Sequence, residues 1–235
     1  SLYFVIARSG NYDEKNTYVD FEITDETDVL ITHIGPNLRS LDFSNVAYDP
    51  AIELYDDSGS LIASNDDWGG DAALSAAFTD TGDLSALHNG TSMESASPTS
   101  LDSALLVTLV PGKYRAKMFR DSGDVGISIV EVYAMDKNKP GFKMFSVEAF
   151  SGSSADVLLV NVGTASNSDI LVRGLRLGVE PVPNPSFAAY NNGSPILNGA
   201  NDDWADGPDA TFINPLSNAV GLSPLLIPGS TDSAV

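Results

Sequence analysis

The 235-residue chain contains no cysteine. This absence excludes disulfide bonds, thiolate metal sites and cysteine nucleophiles. Histidine is almost as scarce, because His33 and His88 stand alone and are too few for a zinc site or a catalytic triad. The chain also lacks a Gly-x-Ser-x-Gly elbow and a glycine-rich phosphate-binding loop. We therefore predict that the protein is not an enzyme.

Positive charge is scarce as well. The sequence has 12 Lys and Arg residues against 32 Asp and Glu residues, which gives a formal net charge of -20. Such a surface repels the phosphates of nucleic acids and of anionic membranes, so we expect no nucleic-acid partner. An acidic surface suits a divalent cation, a salty medium or simple solubility, and composition does not separate these three interpretations.

Long apolar runs are missing too. No stretch approaches the ~20 apolar residues that are needed to cross a bilayer, so we expect no transmembrane segment. Ser1 stands where an initiator Met would stand, which we interpret as the processed N-terminus of a secreted chain. Since 43% of the residues are hydrophobic and only 19% are charged, the chain is expected to fold.

Short strand patterns with turns between them run through the sequence. Apolar and polar residues alternate in Tyr18–Ile23 and in Lys113–Met118, which predicts strands with one face in water. One short helix is predicted at Ala72–Phe78, with Asp71 as its N-cap. The pattern predicts an all-β fold of two tandem, jelly-roll-like β-sandwich domains with a short helix in each.

An internal repeat supports two domains. Asn65–Trp68 (NDDW) recurs as Asn201–Trp204, 136 residues later, and other matching segments follow in the same order on both sides. These are Phe4–Gly10 with Phe145–Gly152, and Asp102–Ala104 with Asp232–Ala234. Asp49-Pro50 has no clear counterpart in the second copy. The polar turn-forming segment Asp136–Gly141 separates the copies, so we predict domains at residues 1–137 and 138–235.

The second copy is expected to be incomplete. At Val235 it has reached only the position of Leu105 in the first copy, so its last strands are missing from the sequence. If the natural chain continues past Val235, the missing strands say nothing about function. Otherwise the open sheet edges need a partner, and a strand from a neighbouring subunit can fill them.

The predicted donor of that strand is the apolar N-terminal segment Leu2, Tyr3, Phe4, Val5, Ile6 and Ala7. Because donor and acceptor lie at opposite ends of the chain, the contact is heterologous and produces a head-to-tail homopolymer.

Acidic loops are the candidate metal sites, since calcium takes six to eight oxygen ligands at flexible spacing. The candidate calcium ligands are Asp56, Asp57, Asn65, Asp66, Asp67 and Asp71 in the first copy, and Asp202, Asp203, Asp206 and Asp209 in the second. The alternative is that these side chains form turns and cap the short helix without a metal.

The two tryptophans of the repeated motif also allow two interpretations. Trp68 and Trp204 are either exposed platforms on which a sugar stacks, or packing anchors whose indole N–H finds a carbonyl. The first interpretation makes a glycan a partner of the protein.

Segments of the first copy resemble a known family. Asp49–Asp67 (DPAIELYDDSGSLIASNDD), followed by Pro111–Tyr114 (PGKY), resembles the bacterial pre-peptidase C-terminal domain and its relatives, which are β-sandwich modules of secreted proteins. A longer pattern, which also includes Gly35–Leu38, is similar to repeats in large secreted bacterial proteins. The resemblance implies a β-sandwich and an extracellular or cell-surface location, and some modules of this kind bind calcium.

Two functions follow as hypotheses. The first is a non-enzymatic extracellular structural protein, a subunit of a surface filament or assembly joined by strand complementation between subunits. The alternative is a calcium- and carbohydrate-binding accessory module of a larger secreted protein. The first predicts a polymer, and the second predicts calcium-dependent stability and no polymer.

Overall fold

The computed structural model describes residues 3–8, 16–41, 45–81, 97–120, 126–136, 142–148, 158–163, 173–174, 187–191, 194–201 and 233–234. In chain order the strands are β1 (Tyr3–Arg8), β2 (Thr17–Ile23), β3 (Thr27–Ile34), β4 (Pro50–Asp56), β5 (Leu61–Asn65), β6 (Ser103–Leu109), β7 (Gly112–Arg120), β8 (Ser128–Ala134), β9 (Phe142–Glu148), β10 (Leu158–Gly163), β11 (Arg173–Gly174), β12 (Phe187–Asn191), β13 (Ser194–Asn201) and β14 (Ser233–Ala234). A 3-10 helix spans Pro36–Leu41 and an α-helix, α1, spans Ala72–Asp80. The all-β prediction is confirmed.

Two five-stranded antiparallel sheets form the first of two compact units, which covers Ser1–Ser166. We call them sheet A, with strand order β10-β1-β8-β3-β6, and sheet B, with order β5-β4-β7-β2-β9. The unit passes the repeat boundary that the sequence predicts between residues 137 and 138, because β9 pairs with β2 and β10 pairs with β1. The repeat boundary itself stays a prediction.

Alternating side chains of β2 and β7 fill the main core. Val19, Phe21 and Ile23 are buried, as are Tyr114, Ala116 and Met118 on the paired strand. This is the alternation that the sequence predicts for these two segments. The ring of Phe21 stacks on Tyr114 with centroids 5.8 Å apart, and it meets the edge of Phe142 at 5.6 Å.

A second apolar cluster lies on the other face of β3. Val29 and Ile31 belong to the main core, whereas Leu30 and Ile34 pack in the second cluster with Leu38 of the 3-10 helix. Leu74, Ala77 and Phe78 of α1 also belong to the second cluster. Strand β3 is therefore buried on both faces, and both short helices contribute to the cover of its second face.

The second unit, Asn167–Val235, contains two short sheets, β11 with β14 and β12 with β13. The hairpin β12–β13 repeats part of the register of β4–β5. Phe187 faces Asn201 as Ile52 faces Asn65, and each hairpin has a register shift before its tyrosine, Tyr190 or Tyr55. Beyond the shift the pairing differs, because Tyr190 faces Pro195, five residues on, whereas Tyr55 faces Leu61, six residues on. Before the shift, the sequence repeat is therefore also a repeat of strand pairing.

This register corrects one point of the sequence comparison. Since Ile52 corresponds to Phe187, the dipeptide Asp49-Pro50 corresponds to Asn184-Pro185, 135 residues later. The dipeptide therefore has a counterpart, at an offset one residue shorter than the 136 residues of the NDDW motif.

The pairing of β11 with β14 gives a second match. Arg173 faces Ala234 and Gly174 faces Ser233, whereas Thr32 faces Ala104 and His33 faces Ser103 in the first repeat. Residues 169–175 (DILVRGL) correspond to residues 28–34 (DVLITHI), 141 positions earlier.

Glu131 is a buried acid in the middle of β8. It lies opposite Thr32 of β3, whose hydroxyl donates a hydrogen bond to the Glu131 Oε2 at 3.1 Å. Only 3% of the residue is exposed to solvent, and this burial raises the pKa of Glu131 from its usual 4.5 to about 7. The charged form is therefore unfavourable in the folded protein.

The Glu131→Gln variant tests this assignment. Because the pKa is higher in the folded state, the wild type loses stability as the pH rises from 4.5 through 7, whereas glutamine stays neutral. At 1.36 kcal/mol per pKa unit, the variant is expected to be more stable than the wild type by about 3 kcal/mol at pH 8, and nearly equal to it at pH 4. Urea unfolding at both pH values measures the difference.

Glu26→Gln is the matched control, because Glu26 is exposed, and it should show no comparable gain at pH 8. An equal effect of Glu131→Gln at pH 4 and pH 8 would contradict the burial of a carboxyl group at this position.

Candidate functional site

The first acidic turn joins β4 to β5. Asp56 Oδ1 accepts hydrogen bonds from the Ser58 hydroxyl at 2.6 Å, the Ser58 N–H at 2.9 Å and the Ser60 N–H at 3.0 Å. These bonds, with the hydroxyl contributing most, lower the pKa of Asp56. Gly59 provides the positive φ of +80° in the same turn, and Asp57 is exposed there. The carboxylate of Asp56 therefore closes the turn.

The NDDW loop is attached to the segment that leads into β6. Asn65 Oδ1 accepts the Ala104 N–H at 3.0 Å, and its Nδ2 donates to the Asp67 carbonyl at 3.0 Å. The Trp68 N–H donates to the Asp102 carbonyl, also at 3.0 Å. Asp66 and Asp67 are exposed. The asparagine of the motif thus links two strands, β5 and β6.

Asp71 is the N-cap of α1, as the sequence predicts. Its Oδ1 accepts the N–H groups of Ala73 at 2.8 Å and of Leu74 at 3.0 Å. These two donors begin the helix and have no partner inside it, so the carboxylate provides the bonds that the first turn lacks.

Asp102 is a site residue that our sequence analysis did not single out. It is fully buried, and its carboxylate accepts the N–H groups of Gly35 at 2.7 Å and Asn37 at 3.4 Å, together with the hydroxyl of Ser100. Burial raises the pKa of Asp102, and these donors act in the opposite direction. Its recurrence as Asp232 in the second copy is the signal that could have pointed to it.

Trp68 is a packing anchor. The residue is buried, its Nε1 donates to the Ser97 carbonyl at 3.0 Å, and its ring meets that of Phe78 edge-on at 5.4 Å. The anchor interpretation is confirmed for Trp68, and a buried ring offers no platform to a sugar. Trp204 lies outside the described residues.

No group of three or more His, Asp or Glu side chains is arranged to hold a metal ion within the part of the chain that the structure describes. Asp202, Asp203, Asp206 and Asp209 lie outside that part, so calcium binding stays a prediction. His33 is a buried core residue, with Nδ1 at 3.2 Å from the Ala51 carbonyl and Nε2 at 3.0 Å from the Ser128 hydroxyl. Among the described residues, none of the helices is both long and apolar enough to cross a membrane.

The predicted donor strand is paired within its own chain. Strand β1 begins at Tyr3, and Leu2 lies outside the described residues. Each of its six residues faces a residue of β8 on one side and a residue of β10 on the other. Since β10 follows the predicted repeat boundary, this pairing crosses that boundary within one chain, and donation of the segment to a neighbouring subunit stays a prediction.

A second contact across the predicted repeat boundary joins β2 and β9. Phe142 is buried and packs its ring on Phe21, while Phe145 and Val147 are partly buried against the main core. Ser146, between these two residues, is exposed. Strand β9 thus adds both backbone pairing and apolar side chains to sheet B.

These two contacts, β1 with β10 and β2 with β9, form the candidate functional site, which we call the repeat interface. No family model matches the chain, and no curated protein or solved structure matches it either. The resemblance to the pre-peptidase C-terminal domain therefore stays a prediction, and function is argued from the geometry of this interface.

Asp71→Ala separates helix capping from calcium binding. Loss of the cap is expected to lower the free energy of unfolding by about 1 kcal/mol, because two N–H groups lose their acceptor. The loss should be the same in calcium and in EDTA when it is measured by thermal or urea unfolding.

Asp57→Ala is the control, since this exposed side chain is expected to change stability by less than about 0.5 kcal/mol. A loss for Asp71→Ala that occurs only in calcium would show that Asp71 is a metal ligand.

Proposed function

We propose that this chain is a non-enzymatic extracellular structural protein, a subunit of a surface filament or assembly whose subunits are joined by strand complementation. The observation that carries this proposal is the position of β1, which pairs with β8 of the first repeat along one side and with β10 of the second repeat along the other. Strand pairing therefore crosses the predicted repeat boundary within one chain.

The repeat interface has the features of a specific contact. Main-chain hydrogen bonds along two strand pairs provide affinity, and side chains that enter the partner's core provide selectivity. Phe142 is the main anchor, since it is buried and meets Phe21 of the other repeat at 5.6 Å. Such buried aromatic residues carry much of the binding energy in protein interfaces.

A polymer follows when the same pairing is made between chains. The first repeat of one subunit then binds the second repeat of the next, which is a heterologous contact that continues as a filament or closes as a ring. The net charge of -20 opposes lateral aggregation of such a polymer. The extracellular location rests on the resemblance of Asp49–Asp67 to modules of secreted proteins.

The described residues favour this role over a calcium- and carbohydrate-binding module. Asp56 and Asp71 bind backbone N–H groups, and the Trp68 ring is buried. A structural role is also compatible with a sequence that has only two histidines and no cysteine.

The mass of the full chain in solution tests the proposal. We expect multi-angle light scattering and negative-stain microscopy to show oligomers that lengthen with protein concentration. Phe142→Ala should shift the distribution to smaller species, because truncation of a buried phenylalanine costs about 3–5 kcal/mol.

Ser146→Ala is the matched control on the same strand, and it should leave the distribution unchanged because Ser146 is exposed. Circular dichroism of both variants checks that the sheets persist. A monomeric wild type at every concentration would remove the proposed function.

A further inference from the structure

The two strand pairs of the repeat interface are made by corresponding segments. Strand β9 corresponds to β1, because Phe145 lies 141 positions after Phe4, and β10 corresponds to β2, because Val160 lies 141 positions after Val19. The interface therefore pairs β1 of the first repeat with the β2 counterpart of the second, and β2 with the β1 counterpart.

The registers of these two pairs are also the same. Val5 faces Asn161, the counterpart of Asp20, and Asp20 faces Ser146, the counterpart of Val5. At the ends of the strands, Tyr3 faces Gly163, the counterpart of Glu22. Glu22 in turn faces Met144, the counterpart of Tyr3. A contact is isologous when position i of one partner faces position j of the other and position j of the first faces position i of the second. The repeat interface therefore has two-fold pseudosymmetry.

We infer that strands β1 and β2 form a binding surface whose partner is the β9–β10 pair of a second copy of this chain, bound head to tail. This inference rests on the proposed function and specifies the contact that joins subunits. When β9 and β10 of one chain pair with β1 and β2 of another, they form the same backbone pairs as in their own chain. Exchange between copies therefore loses no contact of the interface.

Two features of the chain favour exchange. Exchange of β9 and the segment after it needs a new path in one connection only, the seven residues between Ala134 at the end of β8, in sheet A, and Phe142 at the start of β9, in sheet B. Without β9 and β10, strands β1 and β2 would be the edges of their sheets, and open edges pair readily with strands of other molecules.

Cysteine cross-linking tests the inference, and the absence of native cysteine makes the result unambiguous. Asp20→Cys and Ser146→Cys are made in separate full-length chains, which are unfolded together, refolded as a mixture and oxidised. Residues directly opposite each other in an antiparallel pair have Cα atoms about 4.5–5.5 Å apart, which a disulfide can bridge. We expect a covalent dimer on a non-reducing gel, and a ladder from a chain that carries both substitutions.

Asp20→Cys combined with Arg115→Cys is the matched control. These two residues face each other on β2 and β7 within the first repeat, so they should cross-link inside a single chain and give a monomer band. Both double variants lack the ion pair between Arg115 and Asp20, so its absence affects the stability of both and does not explain a difference between them.

Two results would overturn the inference. One is a cross-link between positions 20 and 146 only within single chains, with no covalent dimer from the mixture. If light scattering still shows a polymer, the proposed function stands with another contact. The other is a covalent dimer from mixed Val5→Cys and Asp20→Cys chains, since that dimer requires head-to-head pairing of two first repeats.

Discussion

The antiparallel pairing of β2 is the interaction on which the rest of the structure depends. On one side this strand pairs with β7, and on the other with β9, which follows the predicted repeat boundary. The same strand places Phe21 between Tyr114 and Phe142, so one ring contacts a residue on each side of that predicted boundary. Backbone pairing and core packing therefore cross the predicted boundary at the same place.

The repeated Asp-rich motif forms hydrogen bonds with backbone groups of neighbouring segments. Asn65, Trp68 and Asp102 connect the β5 end, the start of β6 and the 3-10 helix through hydrogen bonds to backbone groups. Polar side chains that satisfy the backbone groups of buried connections are required wherever loops cover a core. Asn65 and Trp68, the first and last residues of the motif, make these connections in the first copy.

Local features of the fold could be predicted from the sequence. The alternation in Tyr18–Ile23 reveals β2 because one of its faces lies on the core, and Asp71 reveals the start of α1 because its carboxylate caps two N–H groups. Asp102 was not singled out, since an isolated aspartate gives no sign of the distant N–H groups that it binds. The pairing of β9 with β2 could not be predicted either, because the choice of partner strands depends on contacts far apart in the chain.

Amide hydrogen–deuterium exchange on the full chain tests whether β1 is paired on both sides, with β8 on one side and with β10, which follows the predicted repeat boundary, on the other. Strand β5 is the internal reference, since it is an edge strand of sheet B. We expect Tyr3–Arg8 to exchange much more slowly than Leu61–Asn65 and about as slowly as β3, which is also paired on both sides. Exchange of Tyr3–Arg8 as fast as that of Leu61–Asn65 would contradict this pairing.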